Sequence, residues 1–286
     1  MSAFAGKVAV VTGAGSGIGA ALAAGLAERG ARLALSDVDA EGLGRTVASL
    51  GGTDAHTRVL DVTDRDAVER YAADVAEHYG VVHQVYNNAG IAPVAGSVLT
   101  TSYEDYERVI GVNLWGVLHG TKAFLPHLIA SGDGHLVNVS SLNGYMAQAG
   151  LSAYCTTKFG VRGFTESVRS DMLAAGLPVA VTVVHPGGVK TNIATSGLAA
   201  RGDDAGAAER AAVDAYNAKL LKMAPTDAVR IILDGVAKKK ARVLVGNDAR
   251  SVDVLVRLLP SLYPRLVNRM MARVMGDSAM ELARRH

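Results

Sequence analysis

Seven short, mostly apolar runs rich in β-branched residues punctuate the chain: Val8–Thr12, Arg32–Ser36, Thr57–Asp61, Gln84–Asn87, His135–Val139, Ala180–His185 and Arg242–Val245. Near-continuous apolar character, rather than alternation, is what strands buried on both faces of a parallel sheet show. Helical periodicities lie between the runs. After the first, Ile18, Ala21, Leu22, Gly25 and Leu26 recur on one helix face. Strand and helix therefore alternate, which predicts an α/β fold: a doubly wound parallel sheet of about seven strands with helices on both faces. A single catalytic domain over 1–246 absorbs this length without a repeat or a low-complexity linker.

Two segments stand apart. Ser196 to Ala212 is rich in Ala, Gly and charge, and reads as a mobile loop joined to a helix. Thr191 to Met223 leaves the sheet after Gly187 and Gly188, whose freedom at positive φ suits a hinge, with Gly197, Gly202 and Gly206 keeping the crossing flexible. Residues 247–286 form a helical extension. Its apolar residues are Val252, Val254, Leu255, Leu258, Leu259, Leu262, Leu266, Met270 and Val274, beside a basic stripe of Arg265, Arg269 and Arg273. Pro260 and Pro264 divide it into two short helices. Such a segment docks on its own domain, covers a partner subunit's pocket, or lies on an anionic membrane; the habit of apolar stripes to face a core favours docking.

Composition removes several function classes. The 286 residues carry 29 basic and 27 acidic side chains, a balance that leaves no nucleic-acid footprint. The lone cysteine, Cys155, excludes an internal disulfide and fits a reducing, cytoplasmic setting. The first strand begins too early for a signal peptide, and no apolar stretch is long enough to span a bilayer. No Cys/His cluster has metal-ligand spacing, so no metal is expected.

Chemistry enters with Thr12–Gly19, which reads TGAGSGIG and sits where a strand turns into a helix. Side chains there would hold the backbone away from a pyrophosphate, and the helix start offers free N–H groups and its positive dipole end. A plain tight turn is the alternative. Asp37 ends the second strand at the distance expected of an acid that bonds the adenosine ribose; its other reading is a helix cap. Neither Ser16 nor Val38 offers a positive charge for a 2′-phosphate, so the expected cofactor is NAD. Tyr154 and Lys158, four apart, share one helix face. A nearby ammonium favours phenolate and makes the phenol a usable acid–base group. Ser141 reads as a hydrogen-bond donor to a substrate oxygen or as a cap, and Cys155 and His185 as packed structural groups.

These motifs together resemble the short-chain dehydrogenase/reductase family, in its compact NAD-preferring form with a C-terminal extension, over roughly residues 6 to 246. The resemblance implies a Rossmann-type domain and assigns roles residue by residue. Asp61 and Val62 match the adenine-contacting pair, and Asn87-Asn88-Ala89-Gly90 matches the NNAG segment beside the cofactor. Asn113 has the setting of the family's asparagine that anchors a proton-relaying water. Ser141, Tyr154 and Lys158 match the remaining catalytic residues, Lys158 also holding the nicotinamide ribose. Pro186-Gly187-Gly188-Val189-Lys190-Thr191 resembles the segment at the nicotinamide end. With Gly13, Ser16, Gly17, Ile18 and Gly19, these complete the expected cofactor site.

The expected substrate pocket draws on Ser141, Leu142, Asn143, Gly144, Tyr145, Met146, Gln148 and Leu151, then on Gly188, Ile193, Leu198 and Met223. Most are apolar or small. Lys190 is the nearest cation and is equally well read as solvated. The sequence thus points to NAD(H)-dependent interconversion of a bulky hydrophobic secondary alcohol and its ketone, in a homodimer or homotetramer. The alternatives are an NADPH-dependent biosynthetic ketoreductase, which Asp37 opposes, and a non-catalytic NAD-binding scaffold, which the catalytic set opposes.

Overall fold

Seven parallel strands make one sheet in the computed structural model, which describes residues 3–93, 95–201 and 206–275. They are β1 (Val8–Thr12), β2 (Arg32–Asp37), β3 (Ala55–Val59), β4 (Gln84–Asn87), β5 (Gly134–Val139), β6 (Val179–Pro186) and β7 (Arg242–Val245). The helices are α1 (Gly17–Ala27), α2 (Ala40–Ala48), α3 (Arg65–Tyr79), α4 (Tyr103–Ile110), α5 (Gly116–Ala130), α6 (Ser152–Ala174), α7 (Ile193–Arg201), α8 (Ala207–Leu220), α9 (Pro225–Ala237), α10 (Asn247–Leu258) and α11 (Tyr263–Met275). Spatial order is β3-β2-β1-β4-β5-β6-β7, and the doubly wound Rossmann-type sheet is as expected. Among the described residues, no helix is long and apolar enough to cross a membrane.

The pleat of each strand sorts its side chains between two cores, because successive residues point to opposite faces. Ala9 and Val11 of β1 join Leu33 and Leu35 of β2 under Leu22 and Leu26 of α1 and Ile232 and Leu233 of α9. Val8 and Val10 enter the other core with Tyr71 and Val75 of α3 and Phe124 and Leu128 of α5. The chain winds outward from β1 to β3, then returns to pair β4 with β1. That reversal opens a crevice beyond the C-terminal ends of β1 and β4, where ligands of such sheets sit.

A buried polar network ties both strand layers to the second face. Asn87 Nδ2 donates to Asn138 Oδ1 at 2.8 Å and to Thr121 Oγ1 at 3.2 Å. Asn138 Nδ2 donates to Thr165 Oγ1 at 3.0 Å. It thereby links β4, β5, α5 and α6 just below the crevice.

Three expectations need correction. The third strand is Ala55–Val59, not 57–61. Its ladder partner β2 ends at Asp37, and the last bond runs from Leu60 N to Asp37 O at 2.9 Å. Asp61 then turns, its Oδ1 accepting from Thr63 N and Thr63 Oγ1, both at 2.8 Å. Second, the stretch expected as a mobile loop is largely α7 and α8, since its alanines favour helix; Gly197 lies inside α7, and Gly202 lies outside the described residues. Third, Gly187 and Gly188 are not at positive φ. They are bare because a Cβ on Gly187 would strike the Asp248 carboxylate, and one on Gly188 would strike the Leu220 carbonyl. The extension does divide into two helices. Pro260 lies in the turn between them, while Pro264 occupies the first turn of α11, where its missing N–H is harmless.

Asn138→Ala should remove about 1–3 kcal/mol from the unfolding free energy in urea, because one buried N–H of Asn87 loses its acceptor and the Thr165 oxygen loses its donor. A loss under about 0.5 kcal/mol would show that the network does not tie the two layers.

Candidate active site

The crevice begins where β1 ends. Thr12 Oγ1 accepts from the backbone N–H of Asn88 and of Ala89, each at 3.1 Å. In return, Asn88 Nδ2 donates to Thr12 O at 3.0 Å and Gly13 O at 3.2 Å. Gly13 sits at φ +66°, and a Cβ on it would lie 2.7 Å from the Ala89 Cα. A Cβ on Gly19 would strike the Gly13 carbonyl, so Gly19 brings α1 close to the turn without lining the cavity. The first N–H groups of α1, beyond reach of any helix carbonyl, lie beside Ser16, Gly17 and Ile18 on the cavity wall.

Asp37 shapes this turn as well as facing it. Its Oδ2 accepts from Gly15 N at 2.7 Å and its Oδ1 from Asp39 N at 2.9 Å. The cap of α2 is Asp39, which accepts from Gly42 N, so Asp37 is not the helix cap. Asp61, Val62, Asn88, Ala89 and Gly90 continue the same wall.

The four candidate catalytic residues come from three different segments. Ser141 follows β5 and caps the short turn 142–144, its Oγ accepting from Asn143 N at 3.1 Å. That bond uses a lone pair and leaves its O–H to donate elsewhere. Tyr154 and Lys158 lie one turn apart on α6. Lys158 Nζ donates to Val139 O at 3.1 Å and lies 5.6 Å from the centre of the Tyr154 ring. Asn113 sits in a π-helical turn, Gly111–Trp115, between α4 and α5. Its Oδ1 accepts from Ile91 N and its Nδ2 donates to Ile91 O, both at 2.8 Å. Asn113 is thus behind the wall, clamping the segment after Gly90, rather than in the cavity.

Burial sets the electrostatics. It lowers the Lys158 ammonium to about 8. It raises the Tyr154 phenol well above its ordinary value, and a hydrogen bond from Ser141 opposes that rise without cancelling it. The lowering expected from Lys158 is therefore not what the protein alone produces; the ammonium is directed at the Val139 carbonyl, and desolvation of a phenolate dominates.

A cavity of ≈ 1180 Å³ joins these parts. Of the expected cofactor-contacting residues all but Gly19 line it, Pro186, Gly187, Val189 and Thr191 included, and from the expected substrate pocket so do Ser141, Asn143, Met146, Leu151, Gly188 and Ile193. Gly144, Tyr145 and Leu198 do not line it. Gly144 packs against Ser140 Oγ and the Lys158 backbone. Leu198 is five residues beyond Ile193, about 140° round the helix. Tyr145 turns away: its hydroxyl donates to Ala249 O at 2.6 Å, and its ring meets His185 edge-on at 5.1 Å. His185 in turn must donate from Nδ1 to the Ser141 carbonyl, at 2.7 Å, and burial lowers it to about 4, so it stays neutral. Lys190 is exposed and off the cavity.

Sequence reasoning missed the far wall. Val213, Tyr216, Lys219 and Lys222 of α8 and its following loop line the cavity, and no motif announces them. Tyr216 is close enough for its phenol to raise Tyr154 further. Lys219 Nζ donates to Val274 O at 2.8 Å, tying α8 to α11. Val252, Val267, Met271 and Val274 of the extension also line it, from the same chain. Asp248 anchors that extension, its Oδ2 accepting from Gly188 N at 2.7 Å.

Residues 7–201 match the family model described as short chain dehydrogenase. The chain belongs to the short-chain dehydrogenase family. Among its relatives, the oxidoreductase SadH of Mycobacterium tuberculosis is 53% identical over 269 residues, covering 93% of this chain and 96% of that protein. The 1-deoxy-11-beta-hydroxypentalenate dehydrogenase of Streptomyces avermitilis is 38% identical over 198 residues, 68% of this chain and 72% of that one. A solved short-chain dehydrogenase/reductase from Burkholderia phymatum, in complex with NAD, superposes with a TM-score of 0.84 at 31% identity, covering 92% and 97% of the two chains. A metagenomic short-chain oxidoreductase in complex with NADP gives 0.68 at 29% identity, covering 85% and 98%. This short-chain dehydrogenase is therefore an oxidoreductase of a family that binds a nicotinamide cofactor. The residues fit one: the turn around Gly13 is a cradle that side chains would fill.

Tyr145→Phe should weaken the docking of α10 by about 1 kcal/mol. Amide exchange over 247–258 should quicken while β1 and β4 stay protected. Equal exchange in the two proteins would show that the hydroxyl does not hold α10.

Proposed function

We propose that this short-chain dehydrogenase is an NAD(H)-dependent enzyme that interconverts a bulky hydrophobic secondary alcohol and its ketone. The observation that carries the reading is the convergence of Ser141 and Tyr154 on the cavity that Asp37 and the Gly13 turn also line. When bound, NAD supplies the nicotinamide carbon that accepts or returns a hydride. The chain supplies the rest. Asp37 has lone pairs left beyond its bonds to Gly15 and Asp39 for the ribose hydroxyls, and its charge repels a 2′-phosphate. Ser141, whose O–H otherwise bonds the Tyr154 oxygen, donates it to the substrate oxygen.

Tyr154 moves the proton. In oxidation the alcohol O–H gives its proton to the Tyr154 oxygen as the C–H bond releases hydride; in reduction the phenol returns it to the forming alkoxide. Burial alone holds that phenol high, so charge near it is needed to bring it toward working pH. Lys158 supplies one charge and the oxidised nicotinamide ring another. Asn113, by holding Ile91 at both its N–H and its carbonyl, fixes the wall beside Lys158. The apolar lining from Met146, Leu151, Val213 and Val267 suits a bulky hydrophobic substrate. The reading includes a reducing cytoplasmic setting, which the buried Cys155 suits. It also includes a homo-oligomer, which would cover exposed Trp115 and Phe159.

Catalytic efficiency with NADH should exceed that with NADPH by at least about tenfold, roughly 1.4 kcal/mol. Asp37→Ala should narrow the gap, and equal use of both cofactors by the native enzyme would refute the assignment.

Tyr154→Phe should keep the fold and NADH binding while turnover of ketones drops at least about a hundredfold. Near-native turnover in that variant would sink the acid–base role.

A further inference from the structure

The extension is apolar on two sides, and only one is used. Its inner side carries Tyr263, Val267 and Met271, which pack with Tyr145 and Met146. Its outer side carries Val254, Leu258, Leu259, Leu262, Leu266 and Met270, all exposed. Leu258 is 73% exposed and Leu262 is 49% exposed, at the tip where α10 turns into α11. Leu262, Leu266 and Met270 are four apart and continue the tip along one line of α11. A contiguous patch of this kind, unlike scattered apolar residues, marks an interaction surface.

Charge says which kind of partner fits. Between residues 247 and 275 the chain has five arginines against two aspartates, although its overall formal charge is only +2. Both aspartates are committed inward: Asp248 to the Gly188 N–H, and Asp253 to Arg242 at 2.7 Å and Arg257 at 3.1 Å. Arg265, Arg269 and Arg273 are exposed, and among the described residues none forms an ion pair. Each precedes a residue of the apolar line or its continuation, Leu266, Met270 and Val274, so the arginines flank the outer leucines. Apolar residues bordered by arginine are the pattern of a helix lying in an anionic lipid interface. A second copy of this face would bring the same excess of arginine and no uncommitted carboxylate to answer it.

Position adds a functional link. Met270 is half exposed on the patch and also lines the cavity, with Met271 and Val274 beside it. The cavity therefore meets the patch at α11. We propose that the outer face of α10 and α11 is a peripheral docking surface for anionic lipid, and that a lipid-dissolved alcohol or ketone enters the cavity along Met270. The docking surface stands on the patch itself; the entry route rests on the oxidoreductase reading above.

The test uses the full chain and vesicles of phosphatidylcholine with or without phosphatidylglycerol, read by co-sedimentation. Native protein should bind the anionic vesicles at least about tenfold better than the neutral ones, and high salt should release it. Leu258→Ser, Leu262→Ser and Leu266→Ser combined, or Arg265→Gln, Arg269→Gln and Arg273→Gln combined, should each cut binding about tenfold or more. None of these six lines the cavity, so melting temperature and turnover of a small water-soluble ketone should stay native-like, while turnover of a vesicle-dissolved long-chain ketone falls. Native protein that stays in the supernatant overturns the docking surface, as does binding that emerges only after residues 276–286 are removed. So does a leucine variant that merely converts an oligomer to a smaller species in light scattering. Vesicle binding without turnover of any ketone would leave the surface standing and overturn the entry route with the oxidoreductase reading.

Discussion

Everything at this site depends on how closely two strand ends approach. Thr12 and Asn88 clasp each other across the switch point, and the gap they set leaves no room for a Cβ on Gly13. The clasp aligns β1 with β4 and, through the Asn87–Asn138 bond, with β5. β5 carries Val139, whose carbonyl holds Lys158, and leads into Ser141. The Gly13 turn and the candidate catalytic residues are thus set by one rigid sheet rather than by separate loops. That is the precision general acid–base and hydride chemistry require, since small misplacements of reacting groups are costly.

The sequence was most legible where burial is most complete. β1 and β4, the fully buried pair at the middle of the sheet, match their apolar runs residue for residue, because strands covered on both faces have little choice of composition. β3 is an edge strand with exposed Arg58 and Val59, so its apolar pattern is weak and its register was read two residues late. The site motifs were legible because each is a local turn or one helix face. Gly187 and Gly188 show the limit. Their lack of side chains was visible, but the cause, Asp248 arriving from sixty residues further on, exists only in the fold. Tyr216 and the two lysines of the far wall are of the same kind: nothing within α8 says that it faces Tyr154.

Tyr145 is the more instructive miss, because it connects the extension to Ser141. Its hydroxyl is held by Ala249 of α10, its ring rests on His185, and His185 holds the Ser141 carbonyl. Arg242 adds its guanidinium 5.0 Å from the same ring while pairing with Asp253 of α10. The extension therefore does more than cover the pocket. It braces, through two aromatic side chains, the backbone from which Ser141 donates. A buried neutral histidine suits that role, because it supplies a fixed N–H without adding a charge to the site.

Lys158 carries the corresponding tension. Burying an ammonium with one carbonyl partner works against folding, and its fall to about 8 expresses that cost. The sign is fixed by linkage. Below about pH 8 the folded chain must hold the charged form, which burial disfavours. Between about 8 and the ordinary lysine value near 10.4 the unfolded chain binds the extra proton, so stability rises with pH across that window. A core residue of that shape could be apolar at no such cost. The cation persists because its place, one turn from Tyr154 and within 3.4 Å of where a Gly90 side chain would be, puts positive charge beside the phenol and the cofactor wall at once. The buried charge that folding must offset is thus the same charge that the proposed chemistry uses.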